Sequence, residues 1–381
     1  MKYLVIGAGG VGSEIIRDIN TNPAATTIGI GDINLPAAQK LAAEIGPKAK
    51  AIHIDIFNET LLKETIKDYQ IVVNATGPFY RTARCIIEAC IAEKINYVDI
   101  ADDSAAVNML LEYEQACKDA GITAVICAGA SPGITNMLGK LGSQWLDTTE
   151  EIHTDWVVSA LNSSATGATL WHAIEMSTGT NPQFLNGKME LVESGSGKKE
   201  VDFGSSFGTY PVYYVGHGEP VTLSKNIPGI QTVTNRGNLW PPTADISSYK
   251  VFEKLGLAKK EPLTINGVEH HRYDIIAAII GDLPVRKQPA NIKDLGSIVS
   301  IEVNGIKDGK KTAYVFRLSG PMNPLTGIPC SYAAQYVADK KDNIPGLFAP
   351  EAYLETDLFF AYLKQRNAVY DVFTYIEGKL V

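Results

Sequence analysis

The sequence is poor in cysteine, and what it has forms no pattern: Cys85, Cys90, Cys117, Cys127 and Cys330 make an odd number, and no two have CxxC spacing. A disulfide framework and a cysteine-built zinc site are therefore excluded as expectations, and a reducing, cytoplasmic setting fits. No run of 18 consecutive apolar residues occurs, so no membrane-spanning helix is expected. The opening MKYLVIGAGGVG carries one lysine and an apolar run cut by glycines, unlike a secretory signal. No basic run offsets the formal net charge of −8, which argues against nucleic acid as a partner. His270-His271 is read as a pair of surface residues, since no third ligand stands at metal spacing, and no metal is expected. Repeats and low-complexity segments are missing as well. What remains is a globular composition, 45% hydrophobic and 20% charged over 381 residues, long enough for two domains.

The first third alternates short apolar runs with helical patterns. Strands are expected at Tyr3–Ile6, Ile28–Ile30, Ile52–Ile54, Ile71–Ala75, Tyr97–Ile100 and Thr123–Cys127. Helices are expected between them, at Val11–Ile19, Pro36–Ile45, Glu59–Asp68, Thr82–Glu93 and Met109–Ala120. Such alternation implies a parallel sheet covered on both faces, the doubly wound Rossmann form of the α/β class. The middle reads differently. Ser297–Asn304 and Lys311–Leu318 are expected to pair around Asp308-Gly309, with further strands at Val212–Val215 and Val221–Leu223 and helices at Leu170–Met176 and Ile275–Ile280. The reading is a dinucleotide-binding domain over residues 1–132 and an α+β domain of largely antiparallel sheet over 133–321, with 322–381 packing back on the first.

Gly7-Ala8-Gly9-Gly10-Val11-Gly12 is a GxGxxG turn between a strand and a helix. Its glycines permit the turn, the approach of a pyrophosphate and close helix–strand packing, while the helix start offers amides to phosphate. Gly7, Gly9, Gly10, Val11 and Gly12 are accordingly assigned to a dinucleotide. Asp32 follows Gly12 by twenty residues and closes the second strand. A carboxylate there accepts ribose hydroxyls and repels a 2′-phosphate, and Ile33-Asn34 supplies no guanidinium, so NAD is favoured over NADP. The alternative role for Asp32 is a helix cap. Asp55 has the same two readings, contact with the adenine amine or a cap. Thr76 and Gly77 end the fourth strand, where ligands of open sheets bind.

NATGPF from Asn74, RCIIEACIAEKINYVDIADD from Arg84 and AGASPGITN from Ala128 together resemble the saccharopine dehydrogenase and reductase-like family, which includes lysine 6-dehydrogenase and carboxynorspermidine dehydrogenase. The tail GLFAPEAYLETDLFFAYLKQR is similar to that family's C-terminal end. The resemblance implies a nicotinamide-dependent oxidoreductase acting at a carbon–nitrogen bond of an amino acid or opine-like substrate. It also implies that Thr76 to Phe79 with Pro78, Ala101 to Asp103, and Ala128 to Pro132 with Ala130 and Ser131 line the nicotinamide side.

Oxidising a C–N bond needs a base for the amine proton and a cation for a substrate carboxylate. Asp102 and Asp103 follow the fifth strand and are candidates to share this work, one binding the substrate ammonium and one acting as base; the alternative for one of them is an N-cap for the helix from Ala105. Ser131 and Pro132 are expected to cap and begin a helix whose amides bind a carboxylate or carboxamide. His172 suits proton transfer near neutrality, with a buried structural histidine as its alternative, and Arg236 is a candidate fork for a carboxylate. A non-catalytic dinucleotide sensor with a protein partner stays open, as does a reductase of lipid or carbonyl substrates. A homodimer is the expected assembly.

Overall fold

A computed structural model describes residues 1–159, 167–204, 207–240, 245–281, 296–339 and 344–381. The chain divides into two compact units, one of residues 1–137 with 322–369 and the other of 138–321 with 370–381.

In chain order the first unit begins with β1 (Lys2–Ile6), α1 (Gly10–Asn20), β2 (Thr27–Asp32), α2 (Leu35–Ile45), β3 (Ala49–His53), α3 (Glu59–Ile66), β4 (Ile71–Asn74), α4 (Phe79–Glu93), β5 (Asn96–Asp99), α5 (Ser104–Leu111), α6 (Glu114–Ala120) and β6 (Thr123–Val125). The chain leaves it through α7 (Ile134–Trp145). The strands pair in parallel in the order 3-2-1-4-5-6, and a later strand adds itself beyond β6. This is the doubly wound order, with its reversal between β1 and β4. Central strands are apolar throughout because helices cover both faces: Leu4, Val5, Ile71, Val72, Val73 and Val98 are fully buried. Asn34 caps α2 by accepting from the Ala37 amide, and Asn58 caps α3 through the Leu61 amide.

The second unit holds β7 (Thr148–Ser159), α8 (Gly167–Ser177), β8 (Thr180–Leu185), β9 (Lys188–Glu193), β10 (Lys199–Asp202), β11 (Thr209–Tyr214), α9 (Glu219–Asn226), β12 (Thr232–Trp240), α10 (Tyr249–Lys254), β13 (Leu263–Ile265), β14 (Val268–His270), α11 (Arg272–Gly281), β15 (Ser297–Lys307) and β16 (Lys310–Gly320). The chain then returns to the first unit with α12 (Met322–Asp339), β17 (Gly346–Phe348), α13 (Pro350–Tyr353) and α14 (Thr356–Gln365), and β17 is the strand that pairs with β6. It ends in the second unit with β18 (Asp371–Ile376) and β19 (Lys379–Leu380). The large sheet of this unit runs β10-β11-β12-β7-β15-β16-β18-β19, with β8 beside β12 and β9 beside β8. Its pairings are antiparallel except for β12 with β7.

Several expectations are corrected. Val221–Leu223 is not a strand but the middle of α9, because Glu219 and Pro220 open a helical turn at Gly218. Met109–Ala120 is two helices, α5 and α6, broken at Tyr113. Residues 370–381 do not join the first unit: they pair antiparallel with β16, from Thr312↔Ile376 to Arg317↔Asp371. The helix expected from Pro132 starts at Ile134, since Gly133 has φ +131°, outside any right-handed helix, and the Gly129 amide closes a tight loop on the Pro132 carbonyl. His271 is not a plain surface residue, for it stacks on Trp171 at 4.0 Å between ring centroids.

Candidate functional site

In the first unit the glycine turn sits where the strand order reverses. Gly7 adopts φ +108° and donates its amide to the Gly31 carbonyl at 2.7 Å, which locks the turn to β2. A Cβ on Gly12 would stand 1.9 Å from the Gly7 carbonyl oxygen, so only glycine lets α1 lie this close to β1. At Gly9 a Cβ would meet nothing within 4 Å: the space over it is open, as a phosphate seat requires. Gly10 has another role, lying against Asn323 of α12. Gly9 caps α1, whose first amides, including those of Gly10, Val11 and Gly12, have no acceptor within the helix.

Asp32 is half-buried, and its carboxylate accepts from the Ala8 amide and from the Asn34 amide, both at 2.7 Å. It therefore ties the end of β2 to the glycine turn and leaves capping of α2 to Asn34. Each carboxylate oxygen keeps a second lone pair for a hydroxyl. Asp55 likewise is not a cap, because Asn58 takes that position; the Asp55 carboxylate accepts the Phe57 amide at 3.0 Å.

At the carboxyl ends of β4, β5 and β6 the remaining expected residues come together. Asn74 accepts both the amide and the hydroxyl of Thr76, at 3.0 and 2.6 Å. Gly77-Pro78 and Ser131-Pro132 are cis peptides, and Pro78 precedes the first turn of α4. Ala101 and Ala130 are buried, Asp102 is half-buried, and Asp103 is buried at the N-cap of α5 without a side-chain cap bond. The residue unforeseen here is Asp99. Its carboxylate is fully buried and accepts from the Ala101 amide at 3.0 Å, the Cys127 amide at 2.8 Å and the Tyr97 hydroxyl at 2.8 Å. Burial raises this carboxyl to about 6, against the pull of those three donors.

In the second unit His172 sits half-buried on α8, its ring 5.5 Å from that of His217. His217 is 5% exposed and stacks on Trp156 of β7 at 5.1 Å and 30°, and its Nδ1 lies 3.6 Å from the fully buried Glu219 carboxylate. The indole is fixed in turn: Trp156 Nε1 donates to Asn235, and Asn235 donates to Thr154 while its amide donates to Gln183. Gly237 makes room for it, since a Cβ there would fall 2.2 Å from the ring. Sequence reasoning missed His217 and Glu219 because GHGEP was read as leading into a strand; as a helix start it places both residues.

Arg236 is not part of this group. Successive strand residues point to opposite faces, and Arg236 faces away from the side of β12 that meets Trp156. Its Nε donates to the Gly197 carbonyl, Nη1 to Thr234 and Nη2 to the Tyr214 hydroxyl, with the guanidinium 4.2 Å above the Tyr214 ring.

The doubly wound sheet and its glycine turn define a dinucleotide-binding fold, and a second, mixed-sheet unit follows it in the chain. Residues 3–125 match the family model of the saccharopine dehydrogenase NADP binding domain. The chain is 23% identical over 400 residues to carboxyaminopropylagmatine dehydrogenase of Synechocystis, covering 95% of each chain. It is 25% identical to carboxynorspermidine synthase of Vibrio cholerae, covering 93% of this chain and 94% of that one. The fold is similar to that of saccharopine dehydrogenase (L-Glu forming) from Saccharomyces cerevisiae, with TM-score 0.65 and 17% identity over 97% of this chain and 99% of the other. It is also similar to homospermidine synthase from Legionella pneumophila in complex with NAD, with TM-score 0.62, 12% identity and 99% and 92% coverage.

Proposed function

We propose that the protein oxidises, or forms by reduction, the secondary amine of a carboxylated polyamine or opine-like amino acid, using NAD in preference to NADP. The observation that carries this reading is the Asp32 carboxylate tied to the Ala8 amide of the glycine turn. A carboxylate held there accepts the two ribose hydroxyls and repels a 2′-phosphate. Gly7, Gly9, Gly10, Val11 and Gly12 would hold the pyrophosphate, with Asp55 at the adenine end and Thr76, Gly77, Pro78, Ala101, Ala130 and Ser131 at the nicotinamide end. The dinucleotide, when bound, supplies hydride transfer.

The substrate class follows from the relatives, two of which are named for carboxylated amines built on norspermidine and agmatine. Proton transfer is assigned to His172 of the second unit, which exchanges the amine proton, with His217 and the Glu219 carboxylate beside it holding its surroundings. Asp102 takes the ammonium charge of the substrate, and Asp103 sets the start of α5. Arg236, with all three nitrogens engaged in its own sheet, is a weaker candidate for the substrate carboxylate. Five free thiols, four of them buried, support a cytoplasmic setting, and a homodimer remains the assembly we favour.

The test is a substrate panel of carboxynorspermidine, carboxyaminopropylagmatine and saccharopine with each dinucleotide, following the absorbance of the reduced ring. Turnover with at least one, faster with NAD, is expected, and Asp32→Ala narrows the preference for NAD over NADP. Tight dinucleotide binding without turnover of any carboxylated secondary amine would return the reading to a non-catalytic sensor.

A further inference from the structure

A chain of hydrogen bonds crosses the carboxyl ends of three neighbouring strands. From β4, the Thr76 amide and hydroxyl donate to Asn74 Oδ1, and Asn74 Nδ2 donates to the Tyr97 hydroxyl at 3.0 Å. From β5, that hydroxyl donates to Asp99 Oδ2, and Asp99 Oδ1 receives the Ala101 amide and, beyond the end of β6, the Cys127 amide. Cys127 holds φ +63°, a left-handed conformation uncommon for a side-chain-bearing residue, and the Asp99 carbonyl accepts the next amide, that of Ala128. Asn74, Tyr97 and Asp99 are all fully buried.

An asparagine at position 99 would not serve the same pattern. The Tyr97 hydroxyl already receives a proton from Asn74, so it must donate onward, and an amide NH2 facing it offers no acceptor. The chain requires an acceptor at both oxygens, which a carboxylate supplies and an amide does not. The result is a buried negative charge beneath the loops that begin at Thr76, Ala101 and Ala128, the three loops assigned above to the nicotinamide.

We propose that Asp99 is a positioning residue whose ionised form selects the oxidised dinucleotide over the reduced one. The inference rests on the proposed dinucleotide site. An oxidised nicotinamide ring is cationic and a reduced one is neutral, so a fixed anion in a low-dielectric layer below the ring favours the first. The carboxyl titrates near neutrality because burial raises it to about 6. The groups facing it are the Tyr97 hydroxyl on its own strand, Asp102 in the following loop, the Cys127 amide from beyond β6 and Cys330 from α12, which packs on β5; Cys90 faces Tyr97. Desolvation pushes Cys90, Cys330 and Tyr97 upward, so these groups stay neutral where Asp99 titrates. The cationic ring stabilises the carboxylate, so the affinity for oxidised relative to reduced dinucleotide rises as pH increases through the Asp99 titration.

The experiment measures dissociation constants of NAD+ and NADH on the full chain between pH 5 and 8, by calorimetry in buffers of different ionisation enthalpy. The ratio of the two constants should shift by roughly three- to tenfold towards NAD+ across this range, the change that a mutual pKa shift of half a unit to one unit implies. Binding of NAD+ near the midpoint should release protons, and binding of NADH should not. Asp99→Asn should flatten the ratio and abolish the release while both ligands still bind. Tyr97→Phe removes one donor from the carboxylate and should move the midpoint to higher pH; it decides the matter if Asp99→Asn does not fold. A ratio independent of pH in the native protein, or an unmoved midpoint in Tyr97→Phe, overturns the inference while leaving the dinucleotide site standing. No binding of either dinucleotide at any pH overturns both.

Discussion

At the scale of the residue, the glycines of the turn divide into those the fold needs and one the ligand needs. Gly12 is held against the Gly7 carbonyl oxygen, where a Cβ would stand at 1.9 Å. Gly12→Ala should therefore destabilise the protein by about 3 kcal/mol through overpacking, read as a lowered urea midpoint. Gly9 has ordinary extended angles, φ −73° and ψ −170°, and a Cβ there meets nothing. Gly9→Ala should lower stability by about 1 kcal/mol or less as a change of cap. Yet its methyl fills the space a pyrophosphate would use, so NAD affinity should fall at least about tenfold. A Gly9→Ala protein that binds NAD normally would contradict the assignment of the turn. In the second unit, Glu219→Gln keeps the shape beside His217 but removes the charge. It should lower turnover with little change in dinucleotide affinity, measured by steady-state kinetics beside direct NAD titration.

Among the elements, the first unit depends on helices from both ends of the chain. Asp18 of α1 accepts from Arg366 Nε, just past α14, at 2.6 Å, and from the Tyr362 hydroxyl of α14. Gln335 of α12 donates to Tyr362 and Ser331 and accepts from Asn22. Gly327 lies so close to α1 that a Cβ would sit 2.8 Å from the Glu14 Cβ. Asp18 is 7% exposed, so its charge is largely desolvated. Asp18→Asn should cost about 1.5–3 kcal/mol, the range for hydrogen bonds to a charged group, visible in chemical unfolding. The pairing also explains why the returning segment 322–369 belongs to the first unit although 184 residues of second-unit chain, 138 to 321, precede it.

For the whole molecule, the chain enters the second unit at Leu138, leaves it after Pro321 and returns to it at Tyr370. Asp371–Ile376 covers the edge of β16 and Lys379–Leu380 pairs beyond it. A protein ending at residue 369 would leave the β16 edge bare, a template for pairing with another chain. Such a truncation should self-associate in sedimentation while retaining NAD affinity, because the glycine turn and Asp32 lie in the other unit. Loss of NAD binding on truncation would show that the two units do not keep their functions apart.

Local pattern alone was enough for the doubly wound sheet. Runs such as IVVN and YVD, separated by helical stretches, have few other stable arrangements, because strands apolar on both sides require cover on both sides. The glycine turn and Asp32 were legible for the same reason: their chemistry is carried by adjacent residues and a fixed interval. Three things were not. His217 and Glu219 depended on whether GHGEP opens a helix or a strand, and Arg236 on which face of β12 it takes. Asp99 depended on three strand ends meeting around one carboxylate. Sequence determined the strands of the first sheet and the glycine turn because those rest on short-range periodicity and backbone freedom; tertiary structure decided which distant polar groups share a buried environment, since only packing removes water and brings residues from separate strands within hydrogen-bond reach.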